Sequence, residues 1–447
     1  MTKKSYSPLN ILRKGNSDPF KSVAITIDPK AAMLITFIRD KLLLSLYGHH
    51  WQTSGGTKCI KQFEWETTVR ALQDEGTAHA TLARAATVLS IGGGPHATRL
   101  EHQAVALKIK GSVILRTELV DIEKMQFYDE RLCFQVFTLM QNAVFGRQLE
   151  EARIHTSMLQ QLLKLPRKPP DSGTHKLEFL FLIAYNDVQS ASMSFQCTRM
   201  DLDEWMPSQF RALWTSTDRY QPLKARNTYD LDPSLGQGRL RTLYVAQRDI
   251  EARRGQFASD PLAATSQTWL SLLSQAVVAY GQMHNFCVDA EIAYHTSGGP
   301  ADLWIGVQAA TALAGVLWAR QLHGTENLSV GPGATIYNAN HLLLYRLRER
   351  LSLLLTAGVC YVERFRSAML WALYVGAAIT RGVSVSHIEG ISSVRKWFDD
   401  KIARQARMMT IESWTRAQVI LRGFLYGGNM VLHIDGSLWF DEVIADF

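Results

Sequence analysis

Cysteine is scarce in this sequence, and no two cysteines lie close together. The five residues, Cys59, Cys133, Cys197, Cys287 and Cys360, are each more than 60 positions from the next, so the chain contains no CxxC pair. Zinc sites built from cysteines use such pairs, and this spacing therefore excludes a cysteine zinc cluster. A dispersed, odd number of cysteines is typical of a reducing compartment, where each one packs as a small apolar side chain.

The sequence also lacks the short motifs that mark common active sites. It has no HExxH metal motif, no GxSxG nucleophile turn, no Walker lysine and no complete GxGxxG. Three glycine-rich segments, Ile91–Pro95, Leu235–Gly238 and Val330–Gly333, are predicted to be plain turns, because none leads from a strand into a phosphate-binding helix. The adjacent rings of His49 and His50 point in different directions, which favours a polar helix end over a metal site.

Two further groups of polar residues have a structural interpretation that we favour over a chemical one. His155 is predicted to pack or to hydrogen-bond locally near the start of a helix. Asp201, Asp203 and Glu204 could divide acid and base roles, but acids placed just before Trp205 are typical of a helix N-terminus. We therefore predict no catalytic residue, no metal ligand and no cofactor, and the cofactor-binding residues are unknown.

Neither a secretory signal nor a long apolar run is evident. Residues 1–10 are polar, and residues 11–20 hold basic residues, Gly, Asp and Pro, so secretion is not expected. The longest apolar stretch, Leu303–Ala319, falls just short of a membrane span and contains Gln308. We expect this stretch to be a buried core helix, and we expect no membrane partner.

Core-forming residues are abundant. Hydrophobic residues make up 47% and charged residues 20% of the 447 positions, which is enough apolar surface to offset the entropy of folding. The formal net charge of +7 is scattered along the chain and forms no basic tract. The run Arg346, Arg348, Glu349 and Arg350 is accordingly predicted to be a solvated helix face.

Apolar residues recur at intervals of three and four along much of the chain. This spacing predicts helices at Ala31–Tyr47, Asp129–Phe145, Glu150–Leu165 and Asn340–Ala357. Gly146 is expected to end the second of these in the left-handed conformation. The sequence thus predicts an all-α fold, a large array of stacked helical pairs after a short extended N-terminal leader.

Breaks in the helical pattern suggest how the chain is divided. Strand-like runs occur only at 23–27 and 430–434, too few for a sheet-based core. Three prolines in Pro166–Gly173 and a polar, glycine-rich loop at 226–239 interrupt the helices. The predicted segments are an extended leader (1–30), an N-terminal helical subdomain (31–165), a linker-rich helical segment (166–239) and a C-terminal helical subdomain (240–447), with 31–447 forming one regulatory domain.

The last residues combine acidic and aromatic side chains. Asp435–Phe447 could be a coactivator-binding tail, but Trp439, Val443 and Phe447 follow one another at intervals of four. This spacing favours a helix that docks onto the core.

Several degenerate motifs occur in a recognisable order along the chain. Towards the end, these are Leu370–Ala377 (LWALYVGA), Trp397, Trp414 and Ile420–Tyr426 (ILRGFLY); Ile11–Phe20 forms the lead-in. In this order the sequence resembles the fungal-specific transcription factor domain, the helical regulatory region that usually follows a zinc binuclear cluster. Each of the large aromatic residues is independently expected to be a core contact.

The resemblance implies a function as well as a fold. It implies a fungal transcriptional regulator that lacks its own zinc cluster, works in the nucleus and controls a metabolic pathway through an effector or protein partners. Those partners would be nuclear proteins, a zinc-cluster transcription factor or a second copy of the chain, and no sequence-specific DNA binding is expected. We expect no enzymatic activity; the alternative is an enzyme or small-molecule-binding protein on the same helical scaffold.

Overall fold

The chain folds as an array of α-helices. The computed structural model describes residues 23–42, 54–119, 127, 129–166, 177–217, 231–259, 265–296, 303–322, 329–331, 334–335, 339–381, 390–425 and 436–445. These residues contain sixteen α-helices and one two-stranded ribbon. Successive helices pack against each other in several pairs, so the predicted all-α fold is confirmed.

Contacts divide the chain into two compact units. Unit 1 contains Met1–Ser190 and Asn327–Tyr337, and unit 2 contains Ala191–Glu326 and Asn338–Phe447. The chain therefore leaves unit 1, builds part of unit 2, returns for a short segment and then completes unit 2. The predicted segment limits at 30, 165 and 239 stay predictions.

In the described residues, unit 1 is built from seven helices and the ribbon. Its elements are α1 (Pro29–Phe37), α2 (Ser54–Ala71), α3 (Glu75–Ile91), α4 (Ala97–Leu119), α5 (Glu130–Phe145), α6 (Leu149–Leu163), most of α7 (Leu177–Ser194), β1 (Ser329–Gly331) and β2 (Ala334–Thr335). The two strands are antiparallel, and β1 packs on α3.

Aspartate side chains start three helices of unit 1. Asp28, Asp74 and Asp129 each accept a hydrogen bond from the backbone N–H three residues later, at 2.7, 2.8 and 3.1 Å respectively. Such caps satisfy amides that have no partner within the helix. The predicted helix of Asp129–Phe145 is confirmed, with Asp129 as its cap.

Helix α4 lies very close to α3. A Cβ added to Gly111 would come within 3.2 Å of the carbonyl oxygen of Gly76 and 3.3 Å of the backbone nitrogen of Ala80. Gln135 of α5 donates a hydrogen bond of 3.0 Å to the carbonyl of Gly111. Small residues thus let the two helix backbones approach each other at this crossing.

Four local predictions for unit 1 need correction. Gly146 has φ −73°, and the left-handed residue is Arg147, since the chain turns one residue later and Gln148 N–H bonds back to the carbonyl of Ala143. Residues 23–25 form a bend and residues 26–27 have no regular structure, so no strand forms there. The helix predicted at 31–47 becomes a π-helical turn at Ile38–Leu42, with 43–47 outside the described residues. Val330 and Gly331, predicted as part of a plain turn, lie in strand β1, and 332–333 lie outside the described residues.

Unit 2 contains the remaining nine helices. They are α8 (Trp205–Thr217), α9 (Arg239–Ser259), α10 (Ser266–Thr296), α11 (Leu303–Leu322), α12 (Ala339–Thr356), α13 (Arg366–Arg381), α14 (Ile391–Met408), α15 (Trp414–Leu421) and α16 (Gly436–Ala445). Short 3-10 turns at Pro233–Leu235, Val359–Tyr361 and Glu363–Phe365 connect some of them.

Large aromatic residues form the centre of unit 2. The ring of Trp371 lies parallel to that of Phe424, with centroids 5.6 Å apart, and edge-on to Trp318 at 5.2 Å. Trp371 Nε1 donates to the hydroxyl of Tyr244, which donates to the carbonyl of Thr311 at 2.8 Å. The expected core roles of Trp371 and Phe424 are confirmed by their complete burial.

The C-terminal helix α16 docks on this aromatic core, as predicted. Trp439 stacks on Tyr374 at 5.8 Å, and Phe440 packs on Trp414 at 5.3 Å. The carboxylate of Asp441 accepts a hydrogen bond of 2.8 Å from the backbone N–H of Trp414, so α16 also caps the start of α15. Phe440 is fully buried, although it does not belong to the predicted series Trp439, Val443 and Phe447. Phe447 lies outside the described residues.

Arg350 corrects the prediction of a solvated charge run. Its side chain is only 3% exposed and forms an ion pair with Glu291 of α10, with a hydrogen bond of 2.9 Å from Nε. The guanidinium also lies 3.8 Å from the centroid of the Tyr294 ring. Arg346 and Glu349 are exposed, as expected.

Helix α11 is the apolar helix expected from the sequence. Its stretch Leu303–Arg320 is long and apolar enough to cross a membrane, and 83% of it is buried within the folded chain. Burial of Ala309, Leu313 and Leu317 is complete. A core helix accounts for this stretch, while the absence of a membrane partner stays a prediction.

A close contact between α13 and α14 predicts a sensitive position. A Cβ at Gly376 would overlap the ring of Phe398, whereas a Cβ at Gly255 of α9 would meet nothing within 4 Å. We expect Gly376→Ala to lower the free energy of unfolding by about 1–3 kcal/mol through overpacking. Urea unfolding followed by circular dichroism measures this change.

Gly255→Ala is the matched control for that substitution. The same atoms are added at a helical glycine with open space, so the better helix propensity of alanine should raise the stability by up to about 1 kcal/mol. Equal effects of the two substitutions would contradict the close α13–α14 contact.

Candidate functional site

Unit 2 contains an open cleft between the 3-10 turn at Pro233–Leu235 and helices α9, α10 and α11. Its volume is about 540 Å³. Its lining comprises Leu235, Gln237, Gly238, Arg239, Leu240, Phe286, Asp289, Ala290, Ala293, Trp304, Ile305 and Gln308. Small-molecule sites in proteins usually have volumes of roughly 300–1,000 Å³ and mainly apolar walls.

The first wall is a turn held in a defined shape by side chains. Asp232 accepts a hydrogen bond of 2.9 Å from the backbone N–H of Ser234. Gln308 of α11 donates a bond of 3.1 Å to the carbonyl of the same serine. Gly236 has φ +67°, and a Cβ there would lie 2.9 Å from the ring of Trp304. Only glycine combines this left-handed backbone with such close contact to an indole.

The opposite walls come from successive turns of α10 and from the start of α11. Phe286, Ala290 and Ala293 follow one another at intervals of three and four, so they share one face of α10. Trp304, half-buried, faces the cleft and is supported by the ring of Phe365, 5.7 Å away. These small and aromatic side chains give the cleft an apolar interior.

Two ionisable side chains lie among the lining residues. Arg239 is exposed and forms two hydrogen bonds, of 2.6 and 2.8 Å, to the carboxylate of Asp203. Asp289, also exposed, accepts a contact of 3.5 Å from the thiol of Cys197. The guanidinium is therefore engaged, and the Asp289 carboxylate is the charged acceptor facing a mostly apolar space.

Several groups with shifted pKa values lie in unit 2 but none of them lines the cleft. Burial raises the pKa of Glu251 to about 7, against the opposing influence of Arg254. Burial lowers the pKa of His284 to about 4 and raises that of the Cys287 thiol. The pKa of Tyr244 is likewise raised by burial. Tyr244, His284 and Cys287 belong to the core, and the Glu251 side chain is 9% exposed. Burial favours the neutral form of each group.

The arrangement is suited to binding. An apolar molecule would cover Phe286 and Trp304, and a hydrogen-bond donor on it would reach Asp289 or the side-chain amide of Gln237. Removing this apolar surface from water would supply the main favourable free energy, and the few polar groups would fix orientation.

The polar residues singled out in the sequence have mostly structural roles. Asp201 caps the start of α8 by accepting from the backbone N–H groups of Asp203, Glu204 and Trp205. His155 is buried on α6, with Nε2 3.4 Å from a carboxylate oxygen of Glu151. Both interpretations are confirmed.

The other candidates from the sequence are two glycine-rich segments and the pair of adjacent histidines. Ile91–Pro95 is a turn, with positive φ at Gly93 and Gly94. Leu235–Gly238, also predicted as a plain turn, forms part of the cleft. His49 and His50 lie outside the described residues, and among the residues that are described no group of three or more His, Cys, Asp or Glu is placed to hold a metal ion.

Sequence reasoning missed the cleft itself. The sequence suggests Asp203 as a possible acid or base, whereas its partner in the structure, Arg239, is 36 positions away. Trp304 and Gly236 approach each other across 68 positions of sequence, so no local pattern reveals the contact. The available signal was Asp232-Pro-Ser-Leu-Gly236, a turn-forming run directly before a helix.

Glu251 predicts a pH dependence of stability. Its pKa of about 7 in the folded chain exceeds the unfolded value of about 4.3, so the folded state retains its proton more tightly. Its contribution to stability is complete below pH 4.3 and is lost as pH rises to 7. We expect Glu251→Gln to gain up to about 3 kcal/mol relative to the native protein across this window.

Urea unfolding at a series of pH values between 4 and 8 measures that difference. Glu349→Gln, which makes the same substitution at a side chain that is 68% exposed, is the matched control. Titration of His284 is common to all three proteins and cancels. Parallel pH profiles for Glu251→Gln and the native protein would contradict the raised pKa.

The cleft predicts binding of a neutral apolar probe. Ala293 lines it and is half-buried, so Ala293→Phe should fill the space and weaken the binding of Nile red by at least about tenfold. Ile292→Phe, at the next position and 57% exposed outside the cleft, is the control and should leave the affinity unchanged. Fluorescence titration measures both, and equal affinities would argue against the cleft.

Known proteins supply no independent identification. No protein-family model, no curated protein and no solved structure matches this chain. The resemblance to the fungal-specific transcription factor domain therefore stays a prediction made from the sequence, and the geometry of the cleft is the structural observation on which a function can be argued.

Proposed function

We propose that this chain, which itself contains no zinc cluster, is the regulatory module of a fungal transcriptional regulator. In this proposal the cleft of unit 2 binds a small, mainly apolar effector. Binding of the effector changes how the chain interacts with protein partners in the nucleus. The regulated process is a metabolic pathway whose product or intermediate is the effector.

The cleft carries the proposal. Its size fits a small molecule, its interior is apolar, and among the described residues its lining includes two ionisable side chains, Arg239 and Asp289. Arg239 is already paired with Asp203. This composition supports reversible binding more than catalysis, because acid–base chemistry needs positioned groups whose pKa values match the reaction.

The residues behind the resemblance add a second line of support. Leu370–Ala377 lies in α13, Trp414 begins α15, and Phe424 stacks on Trp371. These motif residues make one aromatic core in unit 2, as expected if the motifs describe a fold. Such support concerns architecture, and the regulatory activity itself is our proposal.

The proposal also includes partners and location. The five dispersed cysteines give this chain no zinc cluster, so we propose no sequence-specific DNA contact by that route. Promoters would be reached through a nuclear partner that binds DNA, such as a zinc-cluster protein. A second copy of the chain is the other partner we propose, as a homodimer. We propose no membrane partner and no enzymatic activity.

A tethering experiment tests the regulatory role. The full chain, joined to a heterologous DNA-binding domain in a fungal cell, should change transcription of a reporter that carries the matching sites. Ala293→Phe should alter this response, because it fills the effector site, while Ile292→Phe should behave as the unaltered chain. Transcript levels measured against the DNA-binding domain alone give the result.

The contradicting outcome is an unchanged reporter with the fusion present in the nucleus. The alternative is an enzyme or a small-molecule-binding protein on this scaffold. Of these two, the same cleft favours the small-molecule-binding protein. Turnover of a defined compound by the purified chain, abolished by Ala293→Phe, would establish the enzymatic form and overturn the regulator proposal.

A further inference from the structure

Helix α4 of unit 1 exposes a line of apolar side chains. Val105, Ile109 and Val113 are 51, 57 and 57% exposed, and they follow one another at intervals of four. Residues at this spacing lie on one side of a helix, one turn apart. We call these three residues the α4 stripe.

The α4 stripe faces away from the packed side of its helix. Gly111, at the close crossing with α3, lies about 200° around the helix from Ile109. The buried residues of α4 are Ala104, Gly111 and Leu115, all on that packed side. The helix thus packs within unit 1 through Ala104, Gly111 and Leu115, and the three residues of the α4 stripe stay on the outside.

Exposed β-branched residues bring the helix no evident benefit. Valine and isoleucine have lower helix propensity than Gln, Lys or Glu, because they lose rotamer freedom against the preceding turn. Single apolar residues on a surface are ordinary, but three in successive turns form a contiguous patch. Burial against a partner would compensate for the lower propensity of all three.

The charges beside the stripe are mainly positive. Arg99, Lys110 and Arg116 are exposed on α4, and none of them forms an ion pair with any residue in the part of the chain that is described. Glu101 is the one exposed carboxylate along the same helix. Lys108, on a different side, is engaged with Glu151 at α6.

We infer that the α4 stripe is a docking surface for an amphipathic helix of a partner protein, one that carries apolar residues at intervals of three and four between carboxylate side chains. The apolar residues would cover Val105, Ile109 and Val113, and the carboxylates would meet Lys110 and Arg116. Helices recognised in this way present residues i, i+3, i+4 and i+7 to the groove or face that binds them.

Charge and side-chain type decide between this occupant and two others. A second copy of α4 would bring three cations and one carboxylate against the same set, which is unfavourable. Membrane-surface helices insert Trp, Phe and Leu, whereas this stripe consists of valine and isoleucine alone. An acidic amphipathic helix of a partner would pair its carboxylates with the cations and would cover the small apolar residues.

This inference rests on the proposed function only in naming the kind of partner that the module would contact. Its test uses purified full chain and a synthetic peptide, with no reporter gene. A failure of the tethering experiment and a failure of the peptide experiment are therefore separate results.

Two fluorescent helical peptides test the inference. Each has three heptads, about 21 residues, with the same leucine and isoleucine stripe; one has glutamate and the other lysine at the flanking positions. By fluorescence anisotropy the acidic peptide should bind the chain at least about tenfold more tightly than the basic one. Its affinity should fall as salt is added, because exposed charges are screened.

Substitutions on exposed positions separate the contributions. Val105→Gln with Ile109→Gln should weaken the acidic peptide about tenfold, and glutamine is a better helix former, so folding is preserved. Lys110→Glu with Arg116→Glu should reverse the preference between the peptides. Ile292→Gln, an exposed isoleucine on α10, is the matched control and should have no effect.

Three results would overturn the inference. The first is equal affinity for both peptides, and the second is unchanged binding by the Val105→Gln, Ile109→Gln variant. The third is evidence for another occupant of the stripe. In that case the native chain binds the acidic peptide only weakly, and the variant loses either binding to vesicles of anionic phospholipid or concentration-dependent self-association in sedimentation.

Discussion

A short chain of hydrogen bonds inside the aromatic core fixes the geometry of unit 2. Trp371 of α13 donates to Tyr244 of α9, and Tyr244 donates to the carbonyl of Thr311 on α11. A buried indole or phenol without a partner would cost about 1–3 kcal/mol, so the three helices must meet in one register. The start of α9 and the start of α11 both line the cleft, and their separation is therefore set from within the core.

Unit 2 also contains a charged side chain that is buried in the core. Arg350 is buried, and its pairing with Glu291 and its contact with Tyr294 join α12 to α10. Loss of one partner from such a pair leaves an uncompensated buried charge. Ala293 lies on α10 between Glu291 and Tyr294 in sequence and on the cleft side, so the helix that forms the binding surface is also held from behind.

Predictions from the sequence succeeded where the determining interactions are local. The helix after Asp129 follows from a cap and a regular apolar period, and both are visible within the cap and the sixteen residues that follow it. Arg350 was misjudged because its partner comes from a distant helix, although its position matches the apolar side of α12. The cleft could not be predicted for the same reason: Gly236 and Trp304 become neighbours only after α9, α10 and α11 have packed. Periodicity identifies helices, and it carries no information on which of them will meet.

The ribbon at Ser329–Thr335 has a practical implication for dividing the protein. Because this segment belongs to unit 1 and the helices on either side of it belong to unit 2, the backbone passes from one unit to the other three times. A fragment that stops after Ser190 would omit the ribbon that packs on α3, and the complementary fragment would carry it without its neighbours. During synthesis, unit 1 also waits for a segment made after α11. To express either unit alone, the two separate stretches of its backbone would have to be joined. After a single proteolytic cut, the backbone would still connect parts of both units.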